Sequence, residues 1–170
     1  MIPRSGPSLR TVYGGIAMGI VALDQFSKSI VSSKIELYDS ITVIPGFFRI
    51  SHVMNRGAAF SAFADARYRH TGPALIVFSV IVLAVIVVGL WRATERITFG
   101  SFGLALIMGG ALGNLLDRVR LGSVIDFLAF DFGSYHWPDF NLADSAIVIG
   151  SMLLVLDLFF ASRSQPHREP

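Results

Sequence analysis

The chain has 170 residues, 53% of them hydrophobic and only 15% charged, with a mean hydropathy of +0.62. Soluble domains carry roughly 25% charged residues, so this composition excludes an ordinary water-soluble domain and describes a single integral membrane domain. The absence of cysteine excludes disulfides, thiolate nucleophiles and cysteine-ligated metals, and a formal charge of +2 with dispersed basic residues leaves no footprint for a nucleic-acid partner.

The first span is expected over Thr11–Ser32, preceded by Arg4 and Arg10. A basic start followed by an apolar middle also describes a secretory signal peptide. Here the apolar run leads into D-Q-F-S-K rather than a small-residue cleavage site, and further spans follow. Asp24 and Lys28 are four apart and share a helical face, where they neutralise each other. Two readings stand: an ion pair that anchors the helix at the interface, or a pair that supports a polar site.

Residues 33–72 are too polar to span. Ile41–Met54 is β-branched and aromatic with a break at Pro45-Gly46, which predicts short strands around a turn. The run N-R-G-A-A-F, Asn55–Phe60, follows. Its composition suits a turn entering a short helix, and it also allows close backbone approach beside an amide that both donates and accepts.

Pro73–Trp91 has nineteen residues without a charge, close to the roughly 20 needed to cross the hydrocarbon. Trp91 and Arg92 mark its interfacial end. The turn Arg92–Arg96 reverses the chain, and Ile97–Leu116 is the third expected span, with Gly109 and Gly113 at a spacing that lets helices pack backbone to backbone. Its polar exit carries Asn114, Asp117 and Arg118. A connection, residues 117–142, holds Asp126, and F-N-L-A-D places Asp144 where the fourth span, Ala143–Ala161, begins. Asp157 lies near the far end of that span and reads as interfacial. The tail, Ser162–Pro170, is polar. The expected fold is mainly α and polytopic, with four transmembrane helices, one domain over residues 1–162 and no internal repeat.

Four alternating spans put Asp24/Lys28, Asn55, Asn114/Asp117/Arg118, Asp126 and Asn141/Asp144 on one face of the membrane. Inert anchors would scatter over both, so the clustering favours a site. The density of Arg92 and Arg96 in a very short turn favours the side of the tails as cytoplasmic.

Two aspartates brought together at a membrane surface do not both ionise cheaply, because like charges in a low dielectric raise one pKa. They share a proton. One can then accept a proton from a water attacking a peptide carbonyl while the other polarises that carbonyl and later protonates the leaving amine. Neither metal nor other cofactor enters this chemistry. Asn114, Asn141 and Arg118 are the residues expected to hold such a site in place. Zinc peptidase and nucleophile-elbow motifs are missing, and a serine–lysine dyad through Lys28 is opposed by Asp24 one turn away. Asp131 and Asp139 compete for dyad roles; with no polar partner at helical spacing, they read as solvated.

The order D-Q-F-S-K (Asp24–Lys28), N-R-G-A-A-F (Asn55–Phe60), G-G-A-L-G-N-L-L-D-R (Gly109–Arg118), V-I-D-F (Val124–Phe127) and F-N-L-A-D-S (Phe140–Ser145) resembles the lipoprotein signal peptidases, or signal peptidase II family. The similarity runs over nearly the whole chain outside the tails. It implies a bacterial inner-membrane aspartic endopeptidase with both termini cytoplasmic and a small β-rich cradle between the first two spans on the periplasmic surface. The implied substrate is a prolipoprotein, cut before a diacylglyceryl-modified cysteine, and the cyclic peptide globomycin is the implied inhibitor in the same groove. By motif match Asp126 and Asp144 are the catalytic dyad, while Asp24, Lys28, Asn55, Gly57, Asn114, Arg118, Asn141 and Ala143 line or support the site. A lid, if there is one, is expected from Leu128–Asp139 or Asn55–Ala66. The bottom-up reading fits such a substrate, since a lipid-modified signal peptide needs an apolar groove open to lipid with acids near the interface.

Two rivals remain. A proton-coupled carrier or channel subunit needs polar groups through the full membrane thickness, and the spans lack an acid at their middle. A scaffold with interfacial anchors predicts dispensable acids.

Overall fold

The computed structural model describes residues 8–57, 71–92 and 98–163. Among the described residues four helices carry the chain: α1 Leu9–Lys34, α2 Thr71–Arg92, α3 Phe99–Leu121 and α4 Leu142–Arg163. Four strands complete it: β1 Ser40–Ile44, β2 Phe48–Asn55, β3 Val124–Phe132 and β4 Tyr135–Phe140. The Arg92–Arg96 turn beyond Arg92, and residues 58–66 of the expected lid, lie outside the described residues.

Helix α3 is the centre of the bundle and packs against each of the other three. Its glycines make this possible. A Cβ at Gly109 would lie 2.7 Å from the Ala17 carbonyl oxygen of α1, and one at Gly113 would lie 2.7 Å from Asp24 Oδ2. On the α4 side, Gly103 and Gly150 face each other, and a side chain at Gly110 would run into the Ala143 carbonyl. The small-residue spacing read in the sequence is therefore a packing surface, with backbones close enough to exclude even a methyl group.

The buried stripe of α1 is Tyr13, Ala17, Val21, Asp24, Lys28 and Val31, a three- and four-residue alternation that keeps one helical face inward. The opposite faces carry Met18, Leu23, Phe26 and Ile30, all exposed. Helices α2, α3 and α4 are long and apolar enough to cross a membrane by length and composition. Helix α1 falls outside that set because Asp24, Gln25, Lys28 and their neighbours lower its average, although its charged pair points into the bundle.

Helix ends are locally encoded. Ser8 caps α1 by accepting the Thr11 N–H, and Thr98 forms a capping box with Ser101 at the start of α3. Gly122 ends α3 in the left-handed region at φ 71°, where a side chain is disfavoured. Third-span residues Asn114, Asp117 and Arg118 thus lie within a continuous helix that runs to Leu121.

The sheet differs from the expected cradle in its origin. Its order is β1-β2-β3-β4, all antiparallel, so half of it comes from the second connection rather than from between α1 and α2. The segment Leu128–Asp139, read as loop, forms most of the β3–β4 hairpin around Gly133 at φ 65°. Alternation in β3 is aromatic on one side, and pairing with β2 and β4 supplies the aromatic partners that make it a strand: Phe48 of β2 stacks on Phe130 at 4.7 Å and Phe140 of β4 on Phe130 at 5.8 Å. Asp131 and Asp139 are correspondingly not free in solvent. Arg49 Nε donates to Asp131 Oδ2 at 2.9 Å, Ser51 Oγ donates to Asp139 Oδ2 at 2.6 Å, and His136 lies between the two acids. Arg49 and Ser51 sit on β2, far away in sequence, and only His136, three residues before Asp139 on the same strand, was a partner that local spacing could have shown.

Arg10 stacks over Trp91 at 4.4 Å, and Asp157 lies against Gly100. These contacts join the start of α1 to the end of α2, and the start of α3 to the end of α4. The sheet and the polar network occupy the other end of the bundle.

Candidate active site

The start of α4 is a reciprocal cap. Asn141 Oδ1 accepts the Asp144 N–H at 2.9 Å, and Asp144 Oδ2 accepts the Asn141 N–H at 3.2 Å. This is the capping-box geometry, with asparagine and aspartate in place of the commoner Ser/Thr and Glu. The sequence N-L-A-D folds this way because the three-residue spacing lets each side chain reach the other's orphan amide. The Ala143 N–H, another orphan, donates to Asp24 Oδ1 at 3.0 Å.

Strand β3 brings Asp126 to the same place. Asn55 Nδ2 donates to Asp126 Oδ2 at 2.7 Å, and Asn141 Nδ2 donates to Asp126 Oδ1 at 2.7 Å. Asn141 therefore holds Asp126 with its side chain while its own main chain and side-chain oxygen hold Asp144. Asn55 is oriented by Gly57, whose N–H donates to Asn55 Oδ1 at 2.8 Å, leaving the amide nitrogen for Asp126. Gly57 sits at φ 107°, a backbone conformation that glycine alone adopts readily.

Burial pushes the Asp126 carboxyl up to about 7. The nearby Asp144 charge adds to the rise, while hydrogen bonds from Asn55 and Asn141 and the charge of Lys28 oppose it. With a side chain only 2% exposed, Asp126 holds a proton far more readily than an ordinary aspartate. Asp144 is half-buried, and Asn114 Nδ2 donates to its Oδ1 at 2.8 Å.

Behind the two acids lies a charged layer. Lys28 Nζ is 2.8 Å from Asp24 Oδ2 and 2.8 Å from Asp117 Oδ2, and it donates to Asn114 Oδ1 at 3.1 Å. That last bond fixes which way the Asn114 amide points, so its nitrogen faces Asp144. Held between two carboxylates as a donor, Lys28 is not placed to serve as a base, which removes the serine–lysine alternative. Gln25 Nε2 donates to Asp117 Oδ1 at 2.9 Å and the Ile125 N–H to Asp117 Oδ2 at 3.2 Å.

Of the residues singled out in the sequence, Asp24, Lys28, Asn55, Gly57, Asn114, Asp126, Asn141, Ala143 and Asp144 join one connected network. Arg118 stands apart from the aspartates: its Nη1 donates to the Asn114 carbonyl at 3.4 Å. Asp117 and Gln25 are network members given no role in the site by the sequence reading, which counted Asp117 only among the polar groups of that face. Asp117 follows Asn114 by three and Gly113 by four, the spacing of one helical face, and that was the available signal. Asp157 lies at the opposite end of the bundle, so among the described residues no chain of acids runs through the bundle as a carrier would need. Among the described residues no group of three or more His, Asp or Glu is disposed to hold a metal ion.

Helices with apolar outer surfaces that end in a buried network around two carboxylates define an integral membrane protein with its buried polar groups gathered at one end. The comparisons make the class specific. A family model described as signal peptidase (SPase) II matches residues 16–160. The lipoprotein signal peptidase of Geobacter sulfurreducens is 46% identical over 152 residues, covering 89% of this chain and 94% of that protein. That of Solibacter usitatus is 44% identical over 158 residues, covering 92% and 96%. A bacterial membrane enzyme solved by the in meso method at 2.3 Å resolution superposes with a TM-score of 0.79 at 30% identity, covering 94% of each chain. A second such structure, at 1.9 Å, gives 0.77 at 32% identity, covering 87% of this chain and 92% of the other. The chain belongs to the signal peptidase II family. Its activity is that of a membrane peptidase that removes signal peptides from prolipoproteins.

Proposed function

We propose that the peptidase is of the aspartic type, with Asp126 and Asp144 as its catalytic pair, and that it cuts before the diacylglyceryl-modified cysteine of its substrate. The observation that carries this reading is Asn141, which hydrogen-bonds both carboxylates at once. The rise of Asp126 to about 7 supports a pair that keeps one proton near neutral pH; that proton belongs to the pair. A water between the acids loses a proton to the ionised carboxylate as its oxygen attacks the scissile carbonyl. The protonated carboxyl gives its proton to the carbonyl oxygen, forming a neutral gem-diol. On collapse one hydroxyl of the gem-diol gives its proton to the ionised carboxylate while the protonated carboxyl gives its own to the departing nitrogen, so the products are a carboxylic acid and an amine and the pair ends with the single proton it began with. Asn55, Gly57, Asn114, Asn141, Ala143, Asp24 and Lys28 hold the two acids in register, and Arg118 braces the Asn114 main chain.

The same reading makes residues 1–162 one domain with four spans, α1 being the fourth. The exposed apolar side chains of α1 and the inward direction of Asp24 and Lys28 support it. Arg10, Arg92 and Arg163 lie at the end remote from the sheet, which supports cytoplasmic termini and an active site near the periplasmic face of a bacterial inner membrane. The exposed Val, Ile and Phe of the helices offer lipid and the signal peptide an apolar wall, and globomycin would compete with the substrate for the two acids.

The test is cleavage of a diacylglyceryl-modified prolipoprotein by the purified protein in detergent. Asp126→Asn and Asp144→Asn should each abolish cleavage while the variants still fold. Cleavage retained by either variant would end the assignment.

A further inference from the structure

We infer that Asp117 is a positioning residue for the reaction, and that with Lys28 it forms a brace setting the place of one aspartate against the other. The inference rests on the dyad reading above. At one end of the brace, Asp117 Oδ2 accepts the Ile125 N–H at 3.2 Å, which ties the main chain immediately before Asp126 to α3. At the other, Lys28 Nζ holds Asn114 Oδ1 at 3.1 Å, and the Asn114 nitrogen is committed to Asp144 Oδ1 at 2.8 Å. The two halves meet in the 2.8 Å contact between Lys28 Nζ and Asp117 Oδ2, both side chains almost fully buried.

The reason for a charged brace follows from what it joins. Asp126 is on a strand and Asp144 on a helix start, and a strand and a helix packed only by apolar contacts slide more easily than a catalytic pair tolerates. A misplacement of about 1 Å costs on the order of 10²-fold in rate. A buried ion pair with every remaining oxygen satisfied is directional, and here Gln25 Nε2 supplies the bond to Asp117 Oδ1 at 2.9 Å. Asp24 neutralises Lys28 but reaches α4 through the Ala143 N–H. Asp117 is the member that reaches β3.

Ionisable groups in this network are Asp24 and Lys28 on α1, Asp117 on α3, Asp126 on β3 and Asp144 on α4; Arg120 of α3 touches Gln25 at 3.5 Å. Removing the Asp117 charge makes the surroundings of the pair more positive, so the shared proton leaves at lower pH.

The experiment is steady-state cleavage by the full chain in detergent across a pH series, for wild type, Asp117→Asn, Gln25→Leu, Asp126→Asn and Asp144→Asn. Asp117→Asn keeps an acceptor for Ile125 but loses the charge. Its kcat should fall about 10–100-fold with KM within about twofold, and its alkaline limb should move to lower pH. A residue needed only for folding would reduce the active fraction and leave the limb in place; that result, or wild-type kcat, overturns the brace. Gln25→Leu keeps the charge, so its kcat should fall about threefold or more with the limb unmoved. If Asp117→Asn does not accumulate, Gln25→Leu decides, and wild-type kcat in it overturns the proposal. Cleavage by Asp126→Asn or Asp144→Asn would instead defeat the dyad, independently of the brace.

Discussion

Asn141 and Asp144 cap each other across the first turn of α4, the side-chain oxygen of each accepting the main-chain N–H of the other at 2.9 and 3.2 Å. A helix start is thereby also the mount of one acid, and the spare amide nitrogen of Asn141 reaches the second, Asp126, at 2.7 Å. On the proposed dyad reading, stability and catalysis are joined in one side chain, and they can be separated by choosing what replaces it.

Asn141→Ala should lose both. The missing cap costs about 1–2 kcal/mol of stability, and Asp126 loses a donor. Asn141→Ser keeps a capping oxygen without the amide. Its melting temperature in detergent should return towards wild type while kcat stays about 10²-fold low. Equal recovery of both quantities would show that the amide bond to Asp126 is dispensable.

The raised carboxyl of Asp126 carries a stability signature of its own. Its folded value of about 7 lies above the unfolded value of 3.8, so its contribution is fully present below pH 4 and is lost as pH rises through 7. Asp126→Asn removes the ionisation. The variant should therefore melt higher than wild type at pH 8, and the gap should narrow steadily towards pH 5. A gap independent of pH would mean that Asp126 is not the buried titrating group.

Gly110 tests the α3–α4 contact that carries Asp144. A methyl there meets the Ala143 carbonyl, which is backbone and cannot swing aside. Gly110→Ala should cost about 1–3 kcal/mol and reduce kcat by shifting the start of α4. Gly19→Ala is the control, because nothing lies within 4 Å of its added methyl; it should melt at or above the wild-type temperature.

Asp131 separates a structural acid from a chemical one. Its hydrogen bond from Arg49, and then that from His136, hold its carboxyl below the usual range. The same bond raises Arg49. With the folded value depressed, the Asp131 contribution is present at neutral pH and is lost only on acidification through the ordinary carboxylate range. Asp131→Asn should cleave substrate within about twofold of wild type, since partly exposed pairs contribute little. A large loss of kcat would make the hairpin part of the reaction.

Much of the architecture was legible in the residues. Continuous apolar runs define helices by themselves, since a main chain in lipid must satisfy its own hydrogen bonds. The four-residue spacing of Asp24 and Lys28, the small residues of α3 and the three-residue spacing of Asn141 and Asp144 are likewise local, and a local pattern needs no knowledge of the rest of the chain. Pairing was not legible. That Leu128–Asp139 is a hairpin, that Asp131 and Asp139 have partners, and that Asp117 reaches Ile125 all depend on strand register and on which helix faces meet, across separations of up to 88 residues. The sequence alone determined which segments are helical and which residues could carry acid–base chemistry. Tertiary structure decided that one asparagine joins the two acids, because a bond between a strand and a helix start exists only once long-range packing has brought them together.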